Sequence, residues 1–299
     1  MKKNEYPTIP AKTIVRSTQS PDQWFGVNCN MNIYRGCPHG CIYCDSRSDC
    51  FRNPEFDTVM VKENALEIIR NELRRKVKTG VIGTGAMSDP YNPLEAELKL
   101  TRNSLELMNA FGFGVSLVTK SDLIARDGDI LADIQSHSPV IAKFSVITAD
   151  DELCKKIEPN VALSSERFEA MSKLAAQGIF TGTMIVPLLP YVSDTDKNIR
   201  DICQMTKEAG GKFIYTYMGM TLRQGSREYY YSKLDDVLPG VKEKYMKRFG
   251  IRYNHTSPRS RKLWDVFTKE CERLGLVYDM RAIIHSYKSG YDSGQLTLF

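Results

Sequence analysis

Short apolar runs alternate along the chain with segments in which apolar residues recur every three or four positions. The runs near Asn32–Arg35, Val81–Ala86, Val115–Thr119, Val140–Ile147, Phe180–Val186 and Lys212–Met218 read as strands. The periodic segments near Glu63–Lys78, Leu94–Phe111, Gly128–Ser136, Ser165–Gln177 and Thr195–Ala209 read as helices. Such alternation predicts βαβ units and a parallel sheet. Six units are too few to close an eight-stranded barrel, so the expected fold is α/β: a partial (βα)6 TIM-like barrel with functional residues past the C-terminal ends of its strands. Pro93 suits a first helical position, Asp194 is placed to cap the amides after it, and Gly178 and Gly210 supply left-handed stops.

Past Thr221 the pattern changes to a Tyr229-Tyr230-Tyr231 run, then helices near Gly240–Phe249 and Arg259–Leu274, the second opened by Ser257-Pro258. The expected organisation is a lead-in (1–28), the barrel (29–220), a C-terminal helical extension packed on it (221–290) and a flexible tail (291–299), with no internal repeat.

Composition narrows the function classes. With 42% hydrophobic residues among 299, the chain can bury a full core. Its net charge of +5 permits a polyanionic partner but falls short of an architectural nucleic-acid binder. No apolar run reaches the roughly 18 residues that cross a bilayer. The opening Met1-Lys2-Lys3-Asn4-Glu5-Tyr6-Pro7 lacks a secretory apolar region, so the expected location is cytoplasmic, with no membrane partner.

In that compartment the cysteines point to metal rather than disulfides, because three of the eight crowd into one loop, Gly36-Cys37-Pro38-His39-Gly40-Cys41-Ile42-Tyr43-Cys44. Three thiolates can hold an iron–sulfur cubane by three corners and leave the fourth iron open. Gly36 and Gly40 let the backbone turn sharply around it. The alternative is a structural zinc completed by His39, Cys29 or Cys50. Cys154, Cys203 and Cys271 fall in helical patterns and read as small buried residues.

Polar candidates follow at successive strand ends. Ser88 and Asp89 lie after Gly83-Thr84-Gly85-Ala86-Met87, Thr119-Lys120 comes next, and Ser145 follows, with Glu158 and Arg167 beyond it. Read singly, Ser88 could equally cap a turn, Lys120 be a solvated charge and Ser145 face a helix. Glu158 and Arg167, either a brace for the site or an ordinary surface pair, stay outside the candidate set.

The Cys-x3-Cys-x2-Cys spacing with Tyr43 before the last cysteine resembles the radical S-adenosylmethionine superfamily. From Asn32 to about Pro190 the chain is similar to its spore photoproduct lyase branch, often described as DNA-repair photolyase-like proteins. The resemblance implies a [4Fe-4S] cluster on Cys37, Cys41 and Cys44. It implies S-adenosylmethionine contacted by Ser88, Lys120 and Ser145, with Tyr43 beside its adenine, and an electron donor such as flavodoxin or ferredoxin. The implied chemistry is reductive cleavage to a 5′-deoxyadenosyl radical, acting on a DNA lesion or modified nucleotide. RNA, a peptide or a metabolite is the alternative substrate, and a zinc-bearing, clamp-associated scaffold the non-enzymatic alternative. One departure stands out: the lyase carries a hydrogen-donor cysteine where this chain has Ala86 and Met87, so another substrate or another donor, such as a tyrosine, is required.

The chain ends in a Gly/Ser/Asp-rich linker beginning near Ser286 and the amphipathic peptide Gln295-Leu296-Thr297-Leu298-Phe299. The peptide resembles the motif by which bacterial repair proteins bind the DNA sliding clamp, with Leu298 and Phe299 as apolar anchors. A final edge strand is the other reading. The basic runs Arg70, Arg74, Arg75, Lys76, Lys78 and Arg259, Arg261, Lys262 are phosphate contacts or solvated helix faces, and the tyrosine trio a base-stacking platform, a radical relay or helix packing.

Overall fold

The computed structural model describes residues 6–21 and 23–291. Its centre is a seven-stranded sheet whose strands lie in chain order. Strand β1 (Val15–Ser17) runs antiparallel to β2 (Cys29–Met31) at one edge. Then come β3 (Val81–Thr84), β4 (Gly114–Thr119), β5 (Val140–Ser145), β6 (Thr181–Ile185) and β7 (Phe213–Thr216), each parallel to the strand before it. The partial (βα)6 barrel is the fold. Alternate side chains divide it: Val115, Leu117, Ala142 and Phe144 join the core under the helices, whereas Ser116, Val118, Lys143 and Ser145 line a cavity inside the arc.

The outer layer is α1 (Ala65–Arg74), α2 (Leu100–Ala110), α3 (Gly128–Gln135), α4 (Asp151–Ile157), α5 (Ser164–Ala176) and α6 (Asp196–Glu208). On α6 the buried residues Ile199, Ile202, Cys203 and Thr206 recur at helical spacing and form its inner stripe. The extension adds α7 (Ser226–Val237), α8 (Val241–Arg248), α9 (Ser260–Leu274), which packs on α6, and α10 (Met280–Lys288).

Several expectations shift. The first barrel strand is Cys29–Met31, not Asn32–Arg35; Tyr34–Arg35 instead pairs with Met60–Lys62 in a separate small sheet. The displacement arises because exposed Asn30 faces the cavity, which hides the strand from a search for apolar runs. The expected helix Leu94–Phe111 is a single turn, Glu95–Leu98, and then α2, broken where Lys99 turns left-handed (φ 52°). Buried Glu95 causes the break: its carboxylate accepts from the amides of Thr101 at 2.9 Å and Arg102 at 3.3 Å, capping α2 in place of the expected Pro93 start. Asp194 does not cap α6. Thr195 accepts from the Asn198 amide at 3.1 Å, and the Asp194 carboxylate takes Ser257 Oγ of the extension at 2.5 Å. Gly178 and Gly210 do adopt positive φ, 80° and 78°. The tyrosine trio lies on α7, where Tyr230 is buried and donates to Tyr245 Oη at 3.1 Å, a packing role. Arg259 and Lys262 pair with Asp196, whereas the basic run from Arg70 lies at the end of α1, on the N-terminal side of β3.

Six parallel strands leave a gap between β7 and β1. Inside the arc, Phe25 packs with Val81, Ile141, Met184 and Phe213, lying 6.0 Å from Phe213 and 5.6 Å from Tyr215, and Trp24 lies 5.7 Å from Tyr215. Both hold left-handed backbone, φ 30° and 56°, a strained state for bulky side chains that needs external support. Helix α10 supplies it, with Tyr287 Oη donating to the Phe25 carbonyl at 2.6 Å and Lys288 Nζ to the Gly26 carbonyl at 2.5 Å. Ser286–Lys288 are therefore helix rather than linker, and the peptide Gln295–Phe299 lies outside the described residues. We expect Tyr287→Phe to cost about 1–3 kcal/mol in urea unfolding, because it leaves a buried carbonyl unpaired; an unchanged midpoint would show that this segment does not depend on this bond.

Candidate active site

The cysteine loop follows Tyr34–Arg35 and lies past the C-terminal end of β2. Gly36 (φ 83°) has no alternative, since a Cβ there would collide with the Thr58 carbonyl oxygen. The loop backbone is fastened along its length. The Cys37 amide donates to Phe56 O at 2.7 Å, the Ile42 amide to Ile157 O at 3.0 Å, and Asn160 Nδ2 to Pro38 O at 2.9 Å. Cys41 is buried, while Cys37 and Cys44 are half-buried.

Burial, then the negative charge of Asp89, pushes the Cys37 thiol up to about 11; burial pushes Cys41 well above its ordinary range even though Lys120 opposes it. Both remain protonated until a metal displaces the proton, as thiolate ligation requires. Among the described residues no three His, Cys, Asp or Glu side chains converge as one metal ion needs. A cluster held at its corners accepts thiols that stand apart. His39 lies with Nδ1 3.6 Å from Asp89, and burial holds it neutral by lowering its pKa.

Asp89 organises the neighbouring strand ends. Its carboxylate accepts from Thr119 Oγ1 at 2.7 Å, from the Lys120 amide at 2.8 Å and from the Tyr91 amide at 2.9 Å. The turn before it leaves no space: at Gly85 (φ 98°) a Cβ would strike the Val118 carbonyl.

Lys120 Nζ lies 5.7 Å from the Tyr43 ring centre, and the residue lines two adjoining cavities. Burial pulls its ammonium down, but Cys41, once it is a thiolate, and the Glu158 carboxylate prevail and hold it above its usual range. Ser145 Oγ is buried without a hydrogen-bond partner and lines the cavity inside the arc, about 330 Å3. Tyr43 lines the second cavity, about 300 Å3, beside Cys44, Ala86 and Met87. Ser88 faces the other way and donates to the Gly36 carbonyl, so it braces the cysteine loop.

Glu158 and Arg167, left outside the expected set, turn out to be central. Both side chains are fully buried and paired at 2.7 Å. Tyr43 Oη donates to Glu158, and Arg167 Nη1 donates to the Ser145 carbonyl at 2.7 Å. The pair thus ties the cysteine loop to β5. Burial pushes Glu158 up, but Arg167, Lys120 and Tyr43 outweigh it and hold the carboxyl below its usual range.

The site is thus an open parallel barrel with a three-cysteine loop past its first strand, beside a polar cavity at the strand ends. The family profile of the Radical SAM superfamily matches residues 31–205, more than half of the chain, and the chain belongs to that superfamily. It is similar to an uncharacterized protein of Mycobacterium tuberculosis, strain H37Rv (28% identical, covering 73% of this chain and 66% of the relative), and so spans just under two thirds of that relative's length. It is also similar to an uncharacterized protein of Methanocaldococcus jannaschii (30% identical, 74% and 79%). Among solved structures it shares its fold with spore photoproduct lyase complexed with dinucleoside spore photoproduct (TM-score 0.65, 13% identity, 88% of this chain and 78% of that one). A mutant of that lyase with bound AdoMet and the same lesion gives a TM-score of 0.62 at 14% identity, over 84% and 76% of the two chains. A radical S-adenosylmethionine methyltransferase from Kitasatospora setae gives 0.54 at 10% identity, over 82% and 51%. No helix among the described residues is long and apolar enough to cross a membrane.

We expect Arg167→Met to cost about 3–5 kcal/mol near neutral pH in guanidinium unfolding, since it strands a buried carboxylate. The sign with pH follows from Glu158. Its depressed pKa stabilises the wild type above the unfolded carboxyl value, and that gain is lost as pH falls through the lower folded value. In the variant the unsupported carboxyl takes up a proton at higher pH, so the deficit shrinks on acidification. A deficit below about 1 kcal/mol that ignores pH would mark an ordinary surface pair.

Proposed function

We propose that Cys37, Cys41 and Cys44 hold a [4Fe-4S] cluster with one open iron, and that S-adenosylmethionine binds between this loop and the ends of β4 and β5. The observation that carries this reading is the convergence of the anchored three-thiol loop with Lys120 and the unpartnered Ser145 hydroxyl around adjoining cavities. When bound, the two groups supply one-electron cleavage to a 5′-deoxyadenosyl radical that removes a hydrogen atom from the substrate.

The chain's own residues set the stage. Lys120, kept charged by its surroundings, offers a cation to the methionyl carboxylate. Ser145 offers a hydroxyl to the ribose and Tyr43 flanks the adenine. Asp89 holds Lys120 through its backbone, and the Glu158–Arg167 pair fixes Tyr43 and Ser145 relative to each other. Ala86 and Met87 line the second cavity where the lyase has its donor cysteine, so the hydrogen that completes the reaction comes from elsewhere. The substrate we infer is a DNA lesion or modified nucleotide. Supporting it are the fold shared with a lyase solved with a dinucleoside lesion and the clamp-like peptide Gln295–Phe299, which would raise local concentration near DNA.

Anaerobic reconstitution with iron and sulfide, then dithionite and S-adenosylmethionine, should yield a coloured protein and 5′-deoxyadenosine. Combined alanine replacement of Cys37, Cys41 and Cys44 should abolish both; a colourless wild type with stoichiometric zinc sinks the reading. For the partner, removing Gln295–Phe299 should abolish retention on an immobilised bacterial sliding clamp, and equal retention would leave the peptide without that role. Turnover of no damaged DNA by the active enzyme would move the substrate to RNA, peptide or metabolite.

A further inference from the structure

The cavity inside the arc extends below the ring of strand ends that the cysteine loop overlies. Lys120, Ala86 and Val186 line both it and the upper cavity, so the two communicate. Its lower part is polar where a barrel interior is ordinarily packed with branched apolar side chains. Ser116 from β4 and Lys143 and Ser145 from β5 project into it, with Asn30 across from them on β2. Trp24, of the strained segment, forms one wall.

Lys143 is the anomaly. It is 3% exposed, donates to Ser116 Oγ and lies 4.7 Å from the Phe25 ring centre, yet among the described residues no carboxylate pairs with it. Buried cations are ordinarily paired, because desolvation otherwise costs several kcal/mol. Burial alone lowers its pKa to about 7, with no charged neighbour contributing. A buried cation that lines a cavity and has no counter-charge is half of an ion pair, and an anion in the cavity would complete it.

We propose that the lumen is the substrate's own subsite and that Lys143, with Ser116, anchors a carboxylate or phosphate carried by the molecule whose C–H bond is attacked. This deepens the radical reading and rests on it for the word substrate; the anion site itself stands on Lys143 and the cavity. Anchoring the charged group at the lumen floor sends the remainder of the molecule upward, past Lys120, toward the cysteine loop. The site also sets a size limit, since a cavity of about 330 Å3 admits a nucleotide-sized fragment and not a stacked duplex.

The test uses the full chain and follows the lysine ε-methylene resonances by NMR, with Lys143 assigned from Lys143→Arg. Alone, Lys143 should titrate near 7. Inorganic phosphate in one arm, or acetate in the other, should raise that midpoint by about one unit, a roughly tenfold linkage, and the stronger arm identifies the anion. Lys143→Met removes an unpaired buried charge and so should fold at least as well as wild type. It should weaken saturable binding of the effective anion at least about tenfold, and Lys143→Arg should restore part of it. A Lys143 midpoint unmoved by both anions, or equal anion affinity in Lys143→Met, overturns the proposal. Wild-type 5′-deoxyadenosine formation is measured in parallel: its failure would sink the radical reading while a positive anion titration left the site standing.

Discussion

The Glu158–Arg167 pair is the constraint on which the site depends. Two charges taken fully out of water gain little net stability by meeting, because desolvation consumes most of the Coulombic return. What they provide is position. The carboxylate receives Tyr43 from the cysteine loop, and the guanidinium reaches the Ser145 carbonyl on β5 and the Ala162 carbonyl at 2.8 Å. A hydrophobic contact in the same place would allow the loop to slide, whereas a planar guanidinium with fixed donor directions does not.

The barrel itself was legible because outward-facing strand positions and inward helix stripes are both apolar, giving the two periods that mark βα units. The cysteine loop was legible because its three cysteines fall within eight positions of the sequence. Less visible were features whose cause lies elsewhere in the chain. β2 was misplaced by its cavity-facing Asn30, and the break before α2 comes from the buried carboxylate of Glu95 rather than from a local breaker. For Glu158 and Arg167, burial decides between brace and surface pair, and burial is a property of the assembled fold. The signal that could have raised them is their flanking of α4 and the start of α5, a short capped helix whose Asp150 accepts from the Glu152 amide at 2.8 Å. The role of α10 was similarly hidden, since nothing in Tyr287 or Lys288 announces that they hold a segment over 260 residues away in sequence.

An open barrel has a second requirement, which is to keep its unfinished side from collapsing or flooding. Here side chains rather than further strands pack it from within. Phe25 packs inside the arc against β3, β5, β6 and β7, Trp24 and Phe25 hold a backbone state they would not adopt alone, and α10 fixes it. The C-terminal extension therefore supports the barrel interior, and Phe25 joins this packing to the lumen, because its ring is also the apolar neighbour of Lys143.

That connection bears on how a radical could be confined. A primary carbon radical abstracts hydrogen from what is nearest, so selectivity has to come from holding one C–H bond close and keeping other donors away. On the proposed reading, Ala86 and Met87 present no thiol at the cavity wall, while Lys120, Asp89 and the Glu158–Arg167 pair fix the strand ends around it. The lower cavity contributes the complementary element, a fixed polar floor below a rigid roof. With both ends of the chamber set by buried charges, the position of a bound molecule along the barrel axis is governed by its own length. Selectivity on that view is a matter of reach, set by the distance between its charged group and the C–H bond presented at the strand ends.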